Sequence, residues 1–382
     1  MKAGESRALG IYVHIPFCSA KCSYCDFNSY AGKAELIPNY VDALGAELRT
    51  YSEAVKGFAP ASVYFGGGTP SLLAPRQVQA LLDEMGRLAP ATCEPGVEVT
   101  LEANPENLAA DRLDGYRRVG VNRLSIGAQS LSDRVLGLLG RKHSAEDVRR
   151  AFEEARRAGM DNVNLDLIYG IPGQALSDWE ETLDEAIRWG PEHISCYALT
   201  LDDGHRISGG VVEIPEEVED LAGEMQVLAC RMLPRQGYRH YEISNFARPG
   251  RECRHNLLYW RNLTWLGIGA GAHSHLSGER WENVRLPEAF VAEVLDGRRP
   301  VVSRHRLRAE ERRGDRAFLG LRLLEGLDLE VFEADEGVPF FEVYGEETAE
   351  LLENGLLTLE GGRLRLTPFG IPLANEVFCR FV

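Results

Sequence analysis

The sequence contains no long apolar run. Its first ten residues, MKAGESRALG, lack the apolar stretch of a signal peptide, and no later segment approaches the ~20 residues of a membrane-spanning helix. Cationic side chains are also scarce, because 42 Lys and Arg against 58 Asp and Glu leave a formal net charge of −16. That charge argues against a nucleic-acid groove and against an anionic membrane surface as a partner. We expect a soluble protein of the cytoplasm.

A disulfide framework is missing as well. Of the eight cysteines, three lie close together at Cys18, Cys22 and Cys25. The others are far apart along the chain: Cys93, Cys196, Cys230, Cys253 and Cys379. Scattered cysteines in a chain of 382 residues are typical of a reduced protein, and a close group of thiols indicates metal or redox chemistry.

Six short apolar runs, rich in β-branched or aromatic residues, recur in the first half of the chain. They are GIYVHIPF, SVYFGGGT, GVEVTLEAN, NRLSIGAQS, NVNLDLIYG and HISCYALT. Their continuity is typical of parallel strands that are covered on both faces. Helical patterns lie between them, for example from Ser144 to Gly159 and from Ser177 to Gly190. The alternation predicts an α/β fold, either a barrel or, as the competing arrangement, a doubly wound sheet.

The strand–helix alternation ends after Thr200. The next segment, LDDGHRISGGVVEIPEE, is Gly-rich and then acidic, which predicts a linker or a lid, and residues 216–233 are predicted to be helical. Further on, an amphipathic helical pattern, two short strands around Gly361-Gly362 and a final helix predict a small C-terminal α/β module. The predicted divisions are a core over residues 1–240, a connection over 241–300 and the module over 301–382.

The three clustered cysteines follow the first predicted strand with the spacing C-x3-C-x2-C, and Phe27 stands where a fourth cysteine would be expected. Thiolates favour zinc or iron–sulfur clusters. Structural zinc requires four closed ligands, whereas a [4Fe–4S] cluster with three protein ligands leaves one iron open to a small molecule. The spacing favours the open cluster. A zinc knuckle completed by a distant histidine and buried thiols without a metal are the alternatives.

This loop, with an aromatic residue (Tyr24) before its last cysteine, resembles the signature of radical S-adenosylmethionine (SAM) proteins. The resemblance implies a partial (β/α)6 barrel in which Cys18, Cys22 and Cys25 hold a [4Fe–4S] cluster and SAM chelates the unique iron. It also implies that the reduced cluster passes an electron to the sulfonium of SAM, which releases a 5′-deoxyadenosyl radical.

Polar residues at or beyond the ends of the predicted strands are candidates for SAM contacts. The GGGTP turn lets backbone groups and a hydroxyl approach a ligand closely. SAM carries a carboxylate that suits an arginine, and an ammonium and hydroxyls that suit acids and an amide. Each such residue alone is more often a structural strand-end group. Together, Glu102, Gln129, Arg141 and Asp166 are similar, position by position, to the SAM-contacting pattern of the anaerobic coproporphyrinogen III oxidase family, and Tyr12 joins them through the same resemblance. The resemblance to radical SAM proteins adds Tyr24 of the cysteine loop and Gly67, Gly68 and Thr69, the stretch that contacts the methionyl amine in that family.

A second group of unusual residues occurs in CRHNLLYW, residues 253–260. Histidine or cysteine can ligate haem iron, and tyrosine or tryptophan can flank a porphyrin. The spacing H-N-x-x-Y-W resembles that of haem chaperones within the same oxidase family, which implies a haem site formed by His255, Asn256, Tyr259 and Trp260. His255 is the preferred iron ligand and Cys253 the alternative. The competing interpretation is that the motif only packs the C-terminal module against the barrel.

The resemblance extends from IYVHIPFCSAKCSYCDF to RLTPFGIPLANEVFCRFV, nearly from end to end. The oxidases carry a further cysteine at the position of Phe27, so the chain is more similar to the haem chaperones. This implies binding of a [4Fe–4S] cluster, SAM and haem, and transfer of haem to an acceptor protein. A dimer and a transient membrane-protein acceptor are both compatible with this resemblance. Oxygen-independent coproporphyrinogen III oxidase, a radical SAM decarboxylase, is the main alternative, and a zinc-stabilised binding module is the second.

Overall fold

The computed structural model describes residues 7–89, 92, 96–201 and 214–382. The strands in these ranges are β1 Arg7–Ile15, β2 Phe17–Cys18, β3 Tyr30–Ala31, β4 Phe58–Gly67, β5 Glu98–Ala103, β6 Arg123–Gln129, β7 Val163–Tyr169, β8 His193–Ala198, β9 Arg239–Glu242, β10 Asn245–Ala247, β11 Thr264–Ile268, β12 His273–Leu276, β13 Glu279–Asn283, β14 Val301–Arg306, β15 Leu327–Asp328, β16 Leu357–Glu360 and β17 Arg363–Leu366. The helices are α1 Ile37–Arg49, α2 Pro75–Leu88, α3 Ala110–Arg118, α4 Asp133–Leu138, α5 Ala145–Arg157, α6 Leu176–Trp189, α7 Glu216–Arg235, α8 Arg254–Trp260, α9 Pro287–Leu295, α10 Ala309–Arg322, α11 Leu329–Glu336, α12 Phe340–Glu353 and α13 Ala374–Phe378.

A twelve-stranded sheet organises most of the chain, in the order β14-β13-β12-β11-β1-β4-β5-β6-β7-β8-β10-β9. Strands β1 and β4 to β8 are parallel neighbours and coincide with the six predicted runs, so that prediction is confirmed. Their order in the sheet follows their order in the chain. A doubly wound sheet would reverse direction at a switch point, whereas right-handed crossovers in one direction place all their helices on one face. The fold is therefore the partial α/β barrel.

The sequence patterns do not predict β11, the strand that pairs in parallel with the other edge of β1. Its segment, TWLGIGAG, is short and rich in glycine, a composition typical of turns. Gly267 lies opposite Tyr12 in this pairing, and its N–H donates to the Ser274 hydroxyl at 2.9 Å. Beyond β11 the chain forms the antiparallel ribbon β12–β14, which extends the sheet past the barrel.

Side chains alternate between two environments along the parallel strands. In β7, Leu165 and Leu167 are fully buried in the apolar core, whereas Asp166 between them lines a cavity on the other face. Strand β1 likewise directs Ile11 and Val13 into that core. The concave face of the sheet is thus polar, and the strands are not covered by apolar layers on both faces as their continuity suggested. This alternation gives the barrel an interior that can hold a polar ligand.

The predicted helix after Ser144 is confirmed as α5. The Ser144 hydroxyl accepts a hydrogen bond from the Asp147 N–H at 3.2 Å, and the Asp147 carboxylate accepts one from the Ser144 N–H at 2.8 Å. Helix α7 matches the prediction over residues 216–233 and extends two residues further, to Arg235. Residues 202–213, most of the predicted linker or lid, lie outside the described residues, as does Cys93.

The predicted start of the helix between β7 and β8, at Ser177, is wrong. Helix α6 begins at Leu176, because the Asp178 carboxylate accepts the N–H of Ala175 at 2.6 Å and so fixes the cap two residues earlier. The end is as predicted: Gly190 has a φ of 68°, in the left-handed region that favours glycine at a helix terminus.

Helices α10–α13 and strands β15–β17 surround a second apolar core that includes Phe332, Phe340 and Leu364. The predicted strand pair around Gly361-Gly362 is confirmed as β16 and β17. The division at residue 301 stays a prediction, and β14 itself pairs with β13 in the main sheet. None of the described helices is long and apolar enough to cross a membrane.

We predict that Gly267→Ala destabilises the protein by about 1–3 kcal/mol. A Cβ at this position would lie 2.1 Å from the carbonyl oxygen of His273, a backbone atom that cannot move aside easily. Gly223→Ala in α7 is the matched control, since its Cβ would meet no atom within 4 Å. Alanine inside a helix is favoured over glycine by about 0.5–1 kcal/mol, so the control should gain stability. Denaturant unfolding measures both variants, and a Gly267→Ala protein as stable as the parent would contradict the packing of β11.

Candidate functional site

A cavity of about 300 Å³ opens at the carboxyl ends of the parallel strands. Parallel α/β folds bind their ligands at this end. The structure brings together here most of the predicted site residues: Cys18, Cys22, Tyr24, Cys25, Gly67, Gly68, Thr69, Glu102, Gln129, Arg141 and Asp166. The other predicted residues do not line this cavity: Tyr12, His255, Asn256, Tyr259 and Trp260.

The clustered thiols are half-exposed in this cavity and have polar neighbours. Arg141 Nη1 donates to Cys22 Sγ at 3.0 Å, and Thr69 Oγ1 donates to Cys18 Sγ at 3.6 Å. Burial raises the pKa of the Cys18 thiol, and the hydrogen bond from Thr69 opposes that rise. The hydroxyl therefore favours the thiolate of Cys18, the form in which cysteine ligates a metal, and the guanidinium places a positive charge beside Cys22.

The cysteine loop is held by contacts to its backbone. Lys21 Nζ donates to the carbonyl oxygens of Phe27 at 3.3 Å and Ser29 at 3.2 Å. Burial lowers the pKa of His14 to about 4, so its imidazole is neutral, and Nε2 can donate to the carbonyl oxygen of Asn28 at 2.8 Å. These contacts hold the backbone of residues 27–29, just beyond the third cysteine, against Lys21 and His14.

The thiols fit a [4Fe–4S] cluster. All three face a common cavity, and no fourth cysteine is among the described residues that line it. A [4Fe–4S] cluster bound through one thiolate per iron would leave one iron facing the rest of this cavity.

The GGGTP turn supports the cysteine loop directly. The N–H of Gly68 donates to the carbonyl oxygen of Ile15 at 2.8 Å, and that of Thr69 to the carbonyl oxygen of Phe17 at 2.7 Å. A Cβ on Gly68 would lie 2.6 Å from that Phe17 oxygen and 3.0 Å from Cys18 Sγ. The two N–H groups are thus engaged within the protein rather than with a ligand. Glycine is needed because the loop lies against this backbone with no room for a side chain.

Asn104 is a cavity residue that the sequence patterns do not predict. Its Oδ1 accepts a hydrogen bond from Arg141 Nη2 at 3.0 Å, and its Nδ2 donates to Thr69 Oγ1 at 3.1 Å. It therefore orients both side chains that donate to the thiols. The available signal was its position, two residues after Glu102 at the end of a predicted strand.

Glu102 lies in the cavity between two donors. Tyr64 Oη donates to Oε1 at 2.8 Å, and the N–H of Gly67 donates to Oε2 at 3.1 Å. Removal from water, and next the charge of Asp166, raise the pKa of Glu102 to about 7, while the two donors oppose the rise. The carboxyl group therefore changes its charge near neutral pH. Tyr64, like Asn104, was not identified from the sequence.

Asp166 and Gln129 complete the polar wall. Ser125 Oγ donates to Asp166 Oδ2 at 2.7 Å, and Asn164 Nδ2 donates to Oδ1 at 2.9 Å. Gln129 has a φ of 58°, unusual for a residue other than glycine, at an irregularity in the pairing of β6 with β7. Its buried Oε1 has no hydrogen-bond partner among the described residues. Backbone strain and an unpaired amide oxygen at one position are typical of ligand sites.

Tyr12 lies behind the cavity, inside the barrel. Its hydroxyl is 3.0 Å from His14 Nδ1, and its ring stacks on Tyr64 with 6.2 Å between the ring centroids. The structure therefore places Tyr12 next to cavity residues rather than among them. The contact between Tyr12 and SAM stays a prediction.

The HNLLYW motif forms α8, which packs beside the starts of β1 and β4 rather than at the cysteine loop. His255 is 1% exposed. Its Nδ1 is 2.8 Å from Ser62 Oγ, and its Nε2 is 2.9 Å from Tyr259 Oη. Burial lowers the pKa of His255 to about 3, so the ring is neutral. Ligation of haem by His255 stays a prediction, and it would require the ring to give up one of these two hydrogen bonds.

The other motif residues have different surroundings. Cys253 is buried, and its Sγ is 3.6 Å from Glu98 Oε1. Burial raises the pKa of this thiol to about 12, which disfavours the thiolate. Asn256 is half-buried on α8. Tyr259 and Trp260 line a second cavity, separate from the one at the cysteine loop.

Comparison with known proteins agrees with this architecture. A family model for the radical SAM superfamily matches residues 12–186, and one for the HemN C-terminal domain matches residues 307–373. The heme chaperone HemW of Bacillus subtilis is 34% identical over 377 residues, which cover 97% of this chain and 98% of that protein. The heme chaperone HemW of Mycobacterium tuberculosis is 38% identical over 379 residues, which cover 97% of this chain and 94% of that protein. The chain belongs to the HemW family.

Membership of the HemW family confirms the relationship that the cysteine loop and the HNLLYW motif predicted. Among solved structures, the coproporphyrinogen III oxidase HemN of Escherichia coli, a radical SAM enzyme, aligns with a TM-score of 0.84 over 98% of this chain and 90% of that chain. Its sequence identity of 23% limits this likeness to the fold. The family model over residues 12–186 and this likeness in fold together confirm the predicted radical SAM barrel.

We predict that Glu102→Gln raises the free energy of unfolding at pH 8 but not at pH 4. Glutamate ionises near pH 4.5 when unfolded, whereas Glu102 in the folded protein ionises near pH 7. The unfolded state therefore binds fewer protons between these values, and the parent loses stability as the pH rises through them, by up to about 3 kcal/mol. Glutamine keeps an oxygen for Tyr64 and removes this loss.

Urea unfolding at several pH values measures the effect of Glu102→Gln. Glu342→Gln, at an exposed position on α12, is the matched control and should follow the pH dependence of the parent. A Glu102→Gln variant whose stability relative to the parent does not change with pH would contradict the raised pKa.

Proposed function

We propose that this chain is a haem chaperone of the radical SAM superfamily, which binds a [4Fe–4S] cluster, SAM and haem and transfers the haem to an acceptor protein. The observation that carries the proposal is a cavity with three thiols, an arginine and three carboxylates, those of Asp26, Glu102 and Asp166. It occurs in a chain that matches proteins named heme chaperones over 97% of its length. The residues of the cavity support binding of the cluster and of SAM, and the names of the relatives support binding and transfer of haem.

Cys18, Cys22 and Cys25 are the proposed cluster ligands. The guanidinium of Arg141 beside Cys22 stabilises negative charge on the sulfur through a charge-assisted hydrogen bond. When bound, the reduced cluster supplies an electron to SAM. The protein holds the thiols in place through the GGGTP backbone, which donates two hydrogen bonds to the strand end and the loop.

The remaining cavity residues are the proposed contacts of SAM. The carboxylates of Glu102 and Asp166 suit its ammonium and its ribose hydroxyls, and the unpaired Oε1 of Gln129 accepts from either. Arg141 suits the carboxylate of SAM, and its hydrogen bond to Asn104 holds the guanidinium at the cysteine loop. Hydrogen bonds within the protein hold Glu102, Asp166 and Arg141, which supports a preorganised site.

Position 27 supports a chaperone rather than an oxidase. Phe27 lines the cavity and is 63% exposed. The oxidases that the sequence resembles carry a cysteine at this position, so the rim of this cavity lacks a thiol that theirs has.

The described cysteines are all free, which supports the cytoplasm as the compartment. Haem and an acceptor protein are the proposed partners.

We predict that replacing Cys18, Cys22 and Cys25 by Ala abolishes binding of iron and sulfide during anaerobic reconstitution. The three thiols are the donors that face the cavity, and no other cysteine lines it within the described residues. Cys379→Ala is the control, because this exposed thiol lies in the C-terminal module and should not affect loading. Iron and sulfide analysis and the cluster absorption measure the result. A full cluster in the triple variant would contradict the assignment.

The proposed function is tested with reconstituted protein and two assays. In the first, ferric haem is added, binding is followed by the Soret absorption, and the loaded protein is mixed with a haem-depleted b-type cytochrome. In the second, coproporphyrinogen III and SAM are added under reducing conditions, and CO2 is measured. We expect stoichiometric haem binding, transfer to the cytochrome and no CO2.

The same assays separate the alternatives. Release of CO2 without haem binding would replace the chaperone by the oxidase. Absence of both activities, in a protein that purifies with zinc at the cysteines, would favour a zinc-stabilised binding module.

A further inference from the structure

A second cavity, of about 510 Å³, lies on the side of the barrel where α8 and α10 meet β11 and the ribbon β12–β14. This volume is within the range of about 300–1,000 Å³ that is typical of small-molecule sites. The cavity shares no lining residue with the one at the cysteine loop. It therefore offers a separate place for a ligand.

Aromatic rings form a wall of this second cavity. The ring of Tyr259 meets that of Trp265 edge to face, with 4.9 Å between centroids and 89° between planes. Trp265 in turn meets His275 at 4.9 Å and 74°. Trp260 also lines the cavity, and its buried Nε1 has no hydrogen-bond partner in the described part of the chain. Such a wall suits a large flat ligand.

The ribbon β12–β14 presents imidazoles on the same face. Residues at alternate positions of a strand share a face, and register places His275, Arg280 and His305 side by side across the three strands, with His273 two residues from His275. His273 and His305 line the cavity and are exposed, and neither ring makes a hydrogen bond to a described residue. They are therefore available as ligands, in contrast to His255.

A cation completes the arrangement. Arg280 lines the cavity, and its Nη2 is 2.9 Å from Asp315 Oδ2. Its buried Nε has no hydrogen-bond partner among the described residues. Buried donors of this kind are uncommon in folded proteins and often belong to a binding site. An arginine of this kind can pair with a carboxylate of the ligand.

We propose that this second cavity is the haem site. Tyr259, Trp260 and Trp265 contact the macrocycle, His273 or His305 ligates the iron, and Arg280 lies beside a propionate. Iron porphyrin is the ligand that needs all three features: an apolar wall, a free imidazole and a cation. The inference rests on the proposed function and assigns its site. It also gives the residues of the HNLLYW motif two different roles. Tyr259 and Trp260 contact the ligand, whereas His255 is a positioning residue that holds Tyr259 through the contact between Nε2 and the Tyr259 hydroxyl.

The test compares histidines inside and outside the cavity. Ferric haem is titrated into reconstituted parent, His273→Ala, His305→Ala, their double variant and His255→Gln, with Soret absorption and electron paramagnetic resonance as readouts. We expect the double variant to bind haem at least about tenfold more weakly and to lose the imidazole-ligated signal. One single variant should reproduce most of this loss, whereas His255→Gln should keep the signal. His240→Ala, outside both cavities, is the matched control.

Iron-free protoporphyrin distinguishes contacts to the macrocycle from ligation of the iron by a histidine. It carries the macrocycle and the propionates but no iron, so the His273/His305 double variant should bind it like the parent, measured by porphyrin fluorescence. Trp265→Leu and Arg280→Gln should each weaken its binding, by about tenfold for the charge pair. Retained binding of this porphyrin by the double variant also shows that the cavity has not collapsed.

The outcomes distinguish this inference from the proposed function. If the parent binds no haem, the proposed function fails, and this assignment fails with it. If the parent binds haem, but the double variant keeps affinity and signal while His255→Gln loses them, the second cavity is not the site and the chaperone proposal stands. Iron-free porphyrin bound equally by the parent, Trp265→Leu and Arg280→Gln would also overturn it.

Discussion

Acidic side chains on the concave face of a parallel sheet are the constraint on which the rest of this molecule depends. The strands must direct their apolar residues toward the helices, so the alternate positions carry polar groups into the barrel. Glu102 accepts hydrogen bonds from Tyr64 and from the N–H of Gly67. These bonds offset only part of the free-energy cost of removing the charged carboxylate from water. The remaining cost raises the pKa of Glu102 to about 7.

The same short segment that supports Glu102 also supports the cysteine loop. Gly67 donates to the acid, and the next two residues, Gly68 and Thr69, donate to Ile15 and Phe17 at the start of the loop. A movement of this backbone would therefore change both the position of the carboxylate and that of the thiols. The clustered thiols and the acidic wall are therefore supported by one backbone segment, residues 67–69.

The two cavities are joined by continuous contacts. Tyr64, which donates to Glu102, stacks on His255 with 5.1 Å between centroids, and His255 contacts Tyr259. Tyr259 itself lines the second cavity, where its ring meets that of Trp265. The HNLLYW motif thus connects the interior of the barrel to the ribbon. From the sequence alone, two interpretations of this motif remained open, ligation of haem and packing. In the structure, His255 packs and its neighbours line a cavity.

The sequence was informative wherever one residue type has one strong physical reason to occupy a position. The spacing of Cys18, Cys22 and Cys25, the cap at Ser144 and the six strand runs are of this kind. It was uninformative where the partner is distant along the chain. Asn104 reaches Arg141, and β11 pairs with β1 across more than half of the chain. The start of α6 was missed for a local reason. The Asp178 carboxylate accepts the N–H of Ala175, so Ala175 rather than Ser177 is the N-cap residue.

A common fold does not decide between decarboxylating a porphyrin precursor and carrying a finished haem, because function resides in the site. HemN shares this fold at a TM-score of 0.84. An oxidase must bring its substrate to the cavity where the cluster and SAM meet. A chaperone has no such requirement and can hold its cargo elsewhere, where an acceptor can reach it. The ribbon side offers exposed imidazoles, His273 and His305, with a half-exposed tryptophan, Trp265, beside them. Those features lie on the surface, whereas Glu102 and Asp166 face the cavity at the cysteine loop. The positions of these groups therefore argue for two ligands in two places.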